Sequence, residues 1–154
     1  GVILGPGFWH KGSGKMFTRV NKGLSFYTEG ITGFVGVRDV VLAMIGLMAS
    51  EITNQRFILV SENLSFKRVL WLIADFMHKK KPQIKVNRFL TELIWRFEFL
   101  RSKLSVAPPL LTKYTARSSV SDHPYTAEKI KNALGFEFEE ISAYVQNTVA
   151  HFKF

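Results

Sequence analysis

The chain has 154 residues, 47% of them apolar and 14% aromatic, with a formal net charge of +9 and no cysteine. A chain of that length suits one domain that buries about 70% of its unfolded surface, so disorder is excluded, as are disulfides, zinc–thiolate sites and thiol nucleophiles. The longest apolar run, residues 40–49, is far short of the roughly 20 residues a membrane-spanning helix needs, and no signal-peptide pattern is present. A reducing, cytoplasmic compartment is the expectation. A first residue of Gly rather than Met, entering directly on a strand, suggests a truncated chain.

The opening stretch, GVILGPGFWHKGSGKM, begins with a strand, Val2-Ile3-Leu4. Gly5-Pro6-Gly7 then forces a sharp turn at its carboxyl end, where open α/β sheets place their ligands. The loop is not a Walker A loop, because Trp9 stands where the first Gly is required and Met16 follows Lys15. It does not fit G-x-G-x-x-G either, because His10 occupies the third glycine position. Residues 15–22 predict a short helix with Met16, Phe17 and Val20 on one side, ended by Gly23. Strands are expected over 24–29 and 34–37, joined through Gly30 and Gly33. Asp39 fits the N-cap of a helix over 40–50, which is apolar nearly all round and is therefore expected to be buried. Arg38 before it reads as exposed and structural. RFILVS, residues 56–61, predicts a core strand.

Ser65 fits the cap of the next helix, with Leu64 and Val69 as a hydrophobic staple and Phe66, Val69, Leu70, Ile73, Phe76 and Met77 on one face. HKKKP closes it, its cations complementing the carbonyl end of the helix. QIKV predicts a short strand. Residues 88–104 predict an amphipathic helix with Phe89, Leu93, Phe97 and Leu100 as its stripe. Phe89, Trp95, Phe97 and Phe99 together cover more than one face, which suits a partner surface or a hydrophobic substrate wall. A smaller helix follows Pro108-Pro109. Thr126 caps a helix over 127–134 closed by Gly135, and Glu139-Glu140 opens a last helix carrying Ile141, Tyr144, Val145, Val149 and Phe152. His10, His78, His123 and His151 lack ligand spacing, so no metal site is expected. Lys and Arg are spread along the chain without a nucleic-acid-binding motif, so neither nucleic acid nor a membrane is expected as a partner.

Four segments in this order, GVILGPG, FVGVRDVVLAM, RFILVSENLSFKRVLWLIADFM and YTAEKIKNALGFEFEEI, carry a resemblance over essentially the whole chain. Together they resemble the C-terminal half of extended short-chain dehydrogenases/reductases. This is the NAD-dependent epimerase/dehydratase superfamily, and the dihydroflavonol-reductase-like branch is the nearest in character. The resemblance implies a mixed α-β substrate-binding lobe with small sheets and six or seven helices. Residues 1–154 would form one substrate-binding domain, with 1–7 at its seam with a Rossmann-type cofactor domain. The glycine-rich loop, the catalytic Ser and the Tyr-x-x-x-Lys pair of such enzymes would lie upstream of Gly1, leaving no catalytic residue in this chain. NAD or NADP would belong to the full-length parent, with none bound to this piece alone.

The resemblance implies a parent NAD(P)-dependent oxidoreductase acting on a carbonyl or alcohol group. The alternatives are a nucleotide-sugar epimerase/dehydratase lobe and a non-catalytic scaffold that keeps the lobe. The backbone of Val2, Ile3 and Leu4 would face the nicotinamide carboxamide. Phe8, Trp9 and His10 would overhang the cleft, Lys15 and Phe17 would face it from the first helix, and Tyr27 would line it from a strand. Tyr125 and Lys129 also spell Tyr-x-x-x-Lys, but no glycine-rich fingerprint precedes them, and they match a structural segment of the family. Thr32 and Ser119 stand where nucleotide-sugar enzymes carry diphosphate-gripping arginines, with Arg117 near but out of register, and Gly36 replaces a common His. These departures favour a less charged, hydrophobic substrate. The expected partners are that small molecule and the missing cofactor domain, and the piece alone is free to oligomerise through surfaces that domain would cover.

Overall fold

A computed structural model describes residues 1–86 and 121–152. The expected helices over 88–104 and after Pro108-Pro109, with Arg117 and Ser119, lie outside the described residues.

Three strands form the main sheet: β1 (Val2–Leu4), β3 (Ile31–Gly36) and β4 (Glu62–Ser65), in the order β1-β3-β4. β1 runs parallel to β3 with Leu4 opposite Gly36, and β4 runs antiparallel to β3 with Ile31 opposite Ser65. β2 (Phe26–Tyr27) and β5 (Ile84–Lys85) form a separate parallel ribbon. Five helices complete the described residues: α1 (Gly14–Asn21), α2 (Val37–Met48), α3 (Phe66–Phe76), α4 (Glu128–Leu134) and α5 (Ile141–Ala150). None of them is long and apolar enough to cross a membrane.

Helical periodicity builds the main core. α1 turns Phe17 and Val20 inward, α3 turns Val69, Leu70, Ile73 and Ala74, and α5 turns Ile141, Val145 and Val149 onto Leu4 and Phe34 of the sheet. Each such side chain, fully buried, contributes roughly 2 kcal/mol of transfer free energy. Ser65 caps α3 as its sequence predicts, its hydroxyl accepting from the Arg68 N–H at 3.2 Å. Ser65→Ala is expected to lower the unfolding free energy by about 1 kcal/mol, read from urea denaturation.

Several local expectations are corrected. The strand expected over 24–29 shrinks to Phe26–Tyr27, and β3 begins at Ile31, ahead of the expected 34–37. Residues 56–61 form no strand, and the ladder instead uses Glu62–Ser65. The apolar run was attractive as a strand, but Val60, Phe57 and Leu59 pack with Ala127 and Ile130 in a second small core. β4 sits at the edge of the described sheet, where polar residues such as Glu62 and Asn63 are tolerated. Thr126 accepts from the Glu128 N–H at 3.3 Å, yet α4 starts one residue later than expected, with Ala127 at its N-cap. Gly135 ends α4 in the left-handed region, φ +60°, as the sequence requires of a helix-closing glycine.

The largest correction concerns α2. Its N-cap is Gly36, so Asp39 is not the cap but lies in the first turn, buried. The helix is also not enclosed. Val37, Val41, Met44, Ile45 and Met48 recur at helical spacing along one exposed face, with Ile45 at 57% and Met48 at 83% exposure.

Candidate functional site

The parallel strands β1 and β3 end side by side at Leu4 and Gly36. That is the carboxyl edge at which α/β sheets hold ligands. The chain turns sharply there at Gly5, where an added Cβ would overlap the Val37 side chain at the start of α2. The following loop is held by side-chain hydrogen bonds. The Ser13 hydroxyl donates to the Ile3 carbonyl at 2.6 Å, and the Thr18 hydroxyl donates to the Trp9 carbonyl at 2.7 Å. A loop fixed at both ends presents its tip in one place.

The residues expected at a cleft are placed differently from one another. Phe8, His10 and Lys15 are exposed around this loop, Phe8 at 84%. Trp9 is half-buried and serves as the loop's anchor, edge-on to Phe17 at 5.9 Å between centroids and to Phe152 at 4.7 Å. Phe17 is wholly buried. It is a core residue and does not face a pocket, because the inner side of α1 is the side that packs on α3. Tyr27 is on the other ribbon, half-buried against the core, and the Lys67 ammonium lies 5.1 Å from its ring centroid. In β1 the Leu4 side chain is fully buried, Val2 is half-buried and Ile3 is half exposed, and one lone pair of the Ile3 carbonyl is taken by Ser13.

Two features that the sequence did not reveal surround this edge. The first is the apolar outer face of α2, which starts at Val37 against Gly5 just after β1, a strand with no other strand on its far side among the described residues. The second is a buried polar link beneath it. The Asp39 carboxylate accepts from the Tyr144 hydroxyl at 3.1 Å and from the Glu139 N–H at 3.1 Å, and the Tyr144 oxygen accepts from the Asp39 N–H at 3.1 Å. Burial first, then the hydrogen bond to Asp39, pushes the Tyr144 hydroxyl up to about 12. The Tyr144 ring lies against Gly36 so closely that a Cβ there would fall inside it. The signal for this link was the pairing of a lone acid in an apolar helix with a lone tyrosine in the last helix.

Tyr125 and Lys129 lie apart from this edge. The backbone of Tyr125 is gripped by Asn63, which accepts from its N–H at 2.9 Å and donates to its carbonyl at 2.8 Å. Lys129 donates to the Arg56 carbonyl at 3.1 Å and covers the Phe57 ring. A separate open groove of about 410 Å³ lies between β4, α3 and the start of α5, lined by Glu62, Leu64, Arg68, Lys131 and Phe138 among others. Its carboxylate Glu62 is engaged by the Ile141 N–H at 2.7 Å. Among the described residues no cluster of His, Asp and Glu is placed to hold a metal ion.

No family model and no curated protein matches the chain. Solved structures do match. The protein gox2253 superposes with a TM-score of 0.72 at 18% identity, over 98% of this chain and 46% of its own. A nucleoside-diphosphate-sugar epimerase from Pseudomonas aeruginosa gives 0.72 at 16%, over 99% and 45%. A dTDP-glucose 4,6-dehydratase from Bacillus anthracis, solved in complex with NAD, gives 0.64 at 13%, over 97% and 41%. The chain therefore has the fold of part of an epimerase- or dehydratase-type chain, and spans less than half the length of these proteins.

Proposed function

We propose that this chain is the C-terminal substrate-binding lobe of an NAD(P)-dependent oxidoreductase acting on a carbonyl or alcohol group, and that the cofactor domain seats on β1 and α2. The observation that carries this reading is the exposed apolar face of α2, together with the edge of β1 that no strand covers among the described residues. A contiguous exposed apolar stripe marks a partner surface, and the matched structures are more than twice as long. The described residues fit only one wall of a dinucleotide site. They offer the carboxyl end of β1 and no glycine-rich phosphate loop. The cofactor, when bound by the whole enzyme, supplies the hydride. Val2, Ile3 and Leu4 would run along its nicotinamide end, Phe8 and His10 would overhang the substrate, Trp9 would fix their loop, and Lys15 and Tyr27 would stand at the cleft's margin. The role of these residues is to orient the substrate and exclude water.

Thr32 occupies the place where a diphosphate-gripping arginine would stand. It sits half-buried on β3, opposite Leu64 and bridged to His123. That favours a weakly charged substrate. The second reading, a nucleotide-sugar lobe, draws on the names of the matched proteins.

A chain extended upstream of Gly1 to the length of the matched proteins tests both. It is expected to enhance reduced-nicotinamide fluorescence and to turn over members of a small carbonyl panel, while the 154-residue chain does neither. UDP- or dTDP-sugars giving the larger thermal stabilisation would favour the second reading. A longer chain with no nicotinamide binding would end the redox reading. Ile45→Lys/Met48→Lys supplies a further check. In the 154-residue chain these exposed sites are expected to shift stability by no more than about 0.5 kcal/mol. In the longer chain the same change is expected to abolish turnover by splitting the two halves.

A further inference from the structure

The first helix and its two ends carry a concentration of exposed cations. No Asp or Glu precedes Glu29, whereas Lys11, Lys15, Arg19 and Lys22 all do. Because α1 buries Phe17 and Val20, its only exposed side chains are Lys15 and Arg19, one helical turn apart, with exposed Lys11 and Lys22 flanking its two ends. A second acid-free stretch, residues 76–86, carries Lys79, Lys80, Lys81 and Lys85. The Ser25 carbonyl accepts from the N–H groups of Gln83 and Ile84, at 3.1 and 2.9 Å, and β2 pairs with β5. The residues that follow Lys22 are thereby fastened to the residues that follow Lys80. Lys81 pairs with Asp75, and Lys85 with Glu29. Among the described residues Lys11, Lys15, Arg19, Lys22, Lys79 and Lys80 have no carboxylate in ion-pair reach.

This arrangement serves the fold only at the carboxyl end of α1, where Arg19 and Lys22 complement the helix dipole. Lys15 and Arg19 repel each other at i,i+4, and Lys15 sits at the positive end of a helix whose first turn holds no acid. A multivalent anion removes both penalties. The surface is the convex outer side of a helix, not a groove that could track a strand, and α1 exposes no ring on which a base could stack. A flat array of negative charge fits it better. We propose that the ridge formed by Lys11, Lys15, Arg19 and Lys22, on α1 and at its two ends, adsorbs the protein on anionic phospholipid bilayers. This inference is independent of the redox reading.

Co-sedimentation of the 154-residue chain with phosphatidylcholine vesicles, with and without phosphatidylserine, tests it. Binding is expected only with phosphatidylserine and is expected to weaken as salt rises. A surface lysine or arginine contributes about 1 kcal/mol, or about fivefold, so Arg19→Gln/Lys22→Gln is expected to lower the partition coefficient about 25-fold. Arg56→Gln/Lys131→Gln makes the same net-charge change elsewhere and is expected to stay within about twofold of the unaltered chain. Matching circular dichroism and unfolding curves confine the comparison to surface charge. Equal losses in the two double variants would overturn the ridge, leaving net charge alone as the cause. Binding indifferent to phosphatidylserine would also overturn it. Tighter retention on a single-stranded oligonucleotide than on vesicles, lost in Arg19→Gln/Lys22→Gln, would replace the bilayer with nucleic acid.

Discussion

Gly36→Ala is expected to destabilise the chain by about 3 kcal/mol or more, enough to deplete the soluble folded protein. The new Cβ would lie less than 3.0 Å from several atoms of the Tyr144 ring. That ring has nowhere to go, since it is buried on α5 and its hydroxyl is fixed at both the Asp39 carboxylate and the Asp39 N–H. Overpacking in a well-filled core costs typically 1–3 kcal/mol and more where the neighbours cannot yield. A double-mutant cycle isolates the cause. Gly36→Ala added to Tyr144→Ala is expected to cost little beyond Tyr144→Ala alone, because the ring that clashes is gone. Additive losses, measured by urea unfolding, would show that Gly36 is needed for another reason. The position is also the hinge between β3 and α2, so the same substitution should disturb the carboxyl edge where the proposed cleft lies.

The second large effect concerns the partner of that ring. Asp39→Ala is expected to cost about 3 kcal/mol, because it leaves the Tyr144 hydroxyl and the Glu139 N–H without their acceptor in a buried place. A pH series gives an independent measure of the same link. The Tyr144 phenol is raised from its ordinary 10.0 to about 12 in the folded chain. Between those values the unfolded chain has released this proton and the native chain still holds it. The native state thus binds more protons, and stability must fall as pH rises. The contribution is fully present below pH 10 and lost as pH climbs to about 12, at up to about 1.4 kcal/mol per pH unit. In Tyr144→Phe this share of the alkaline slope is expected to vanish. Identical slopes in the two proteins would show that Tyr144 does not titrate in this window.

This link bears on the proposed assembly. Asp39 belongs to α2, whose other side is apolar and exposed, whereas Tyr144 and Glu139 belong to the last described helix and its approach. The hydrogen bonds between them therefore fix the exposed face of α2 relative to the core. A variant that loosens them should fold poorly as a piece, and the longer chain carrying it should lose turnover through misplacement of α2.

What the sequence decided by itself was set by short-range rules. Ser65 had to cap α3, since its hydroxyl reaches an N–H three residues on, whatever the rest of the chain does. Gly135 is the natural end of α4, because its left-handed φ costs least for a residue without a Cβ. The inner faces of α1, α3 and α5 followed from apolar spacing, and the turn after Val2-Ile3-Leu4 followed from Gly5-Pro6-Gly7. Tertiary structure alone decided which apolar surface was covered. α2 is hydrophobic on both sides, and composition cannot tell a side facing its own core from one facing a neighbour. RFILVS could be strand or filler, and it became filler because α4 came to lie on it. Asp39 looked like a cap until β3 ran to Gly36 and the helix started earlier, delivering the carboxylate to a tyrosine more than a hundred residues away. Burial and long-range hydrogen bonds depend on distances through space, which a chain of local preferences does not contain until it has folded.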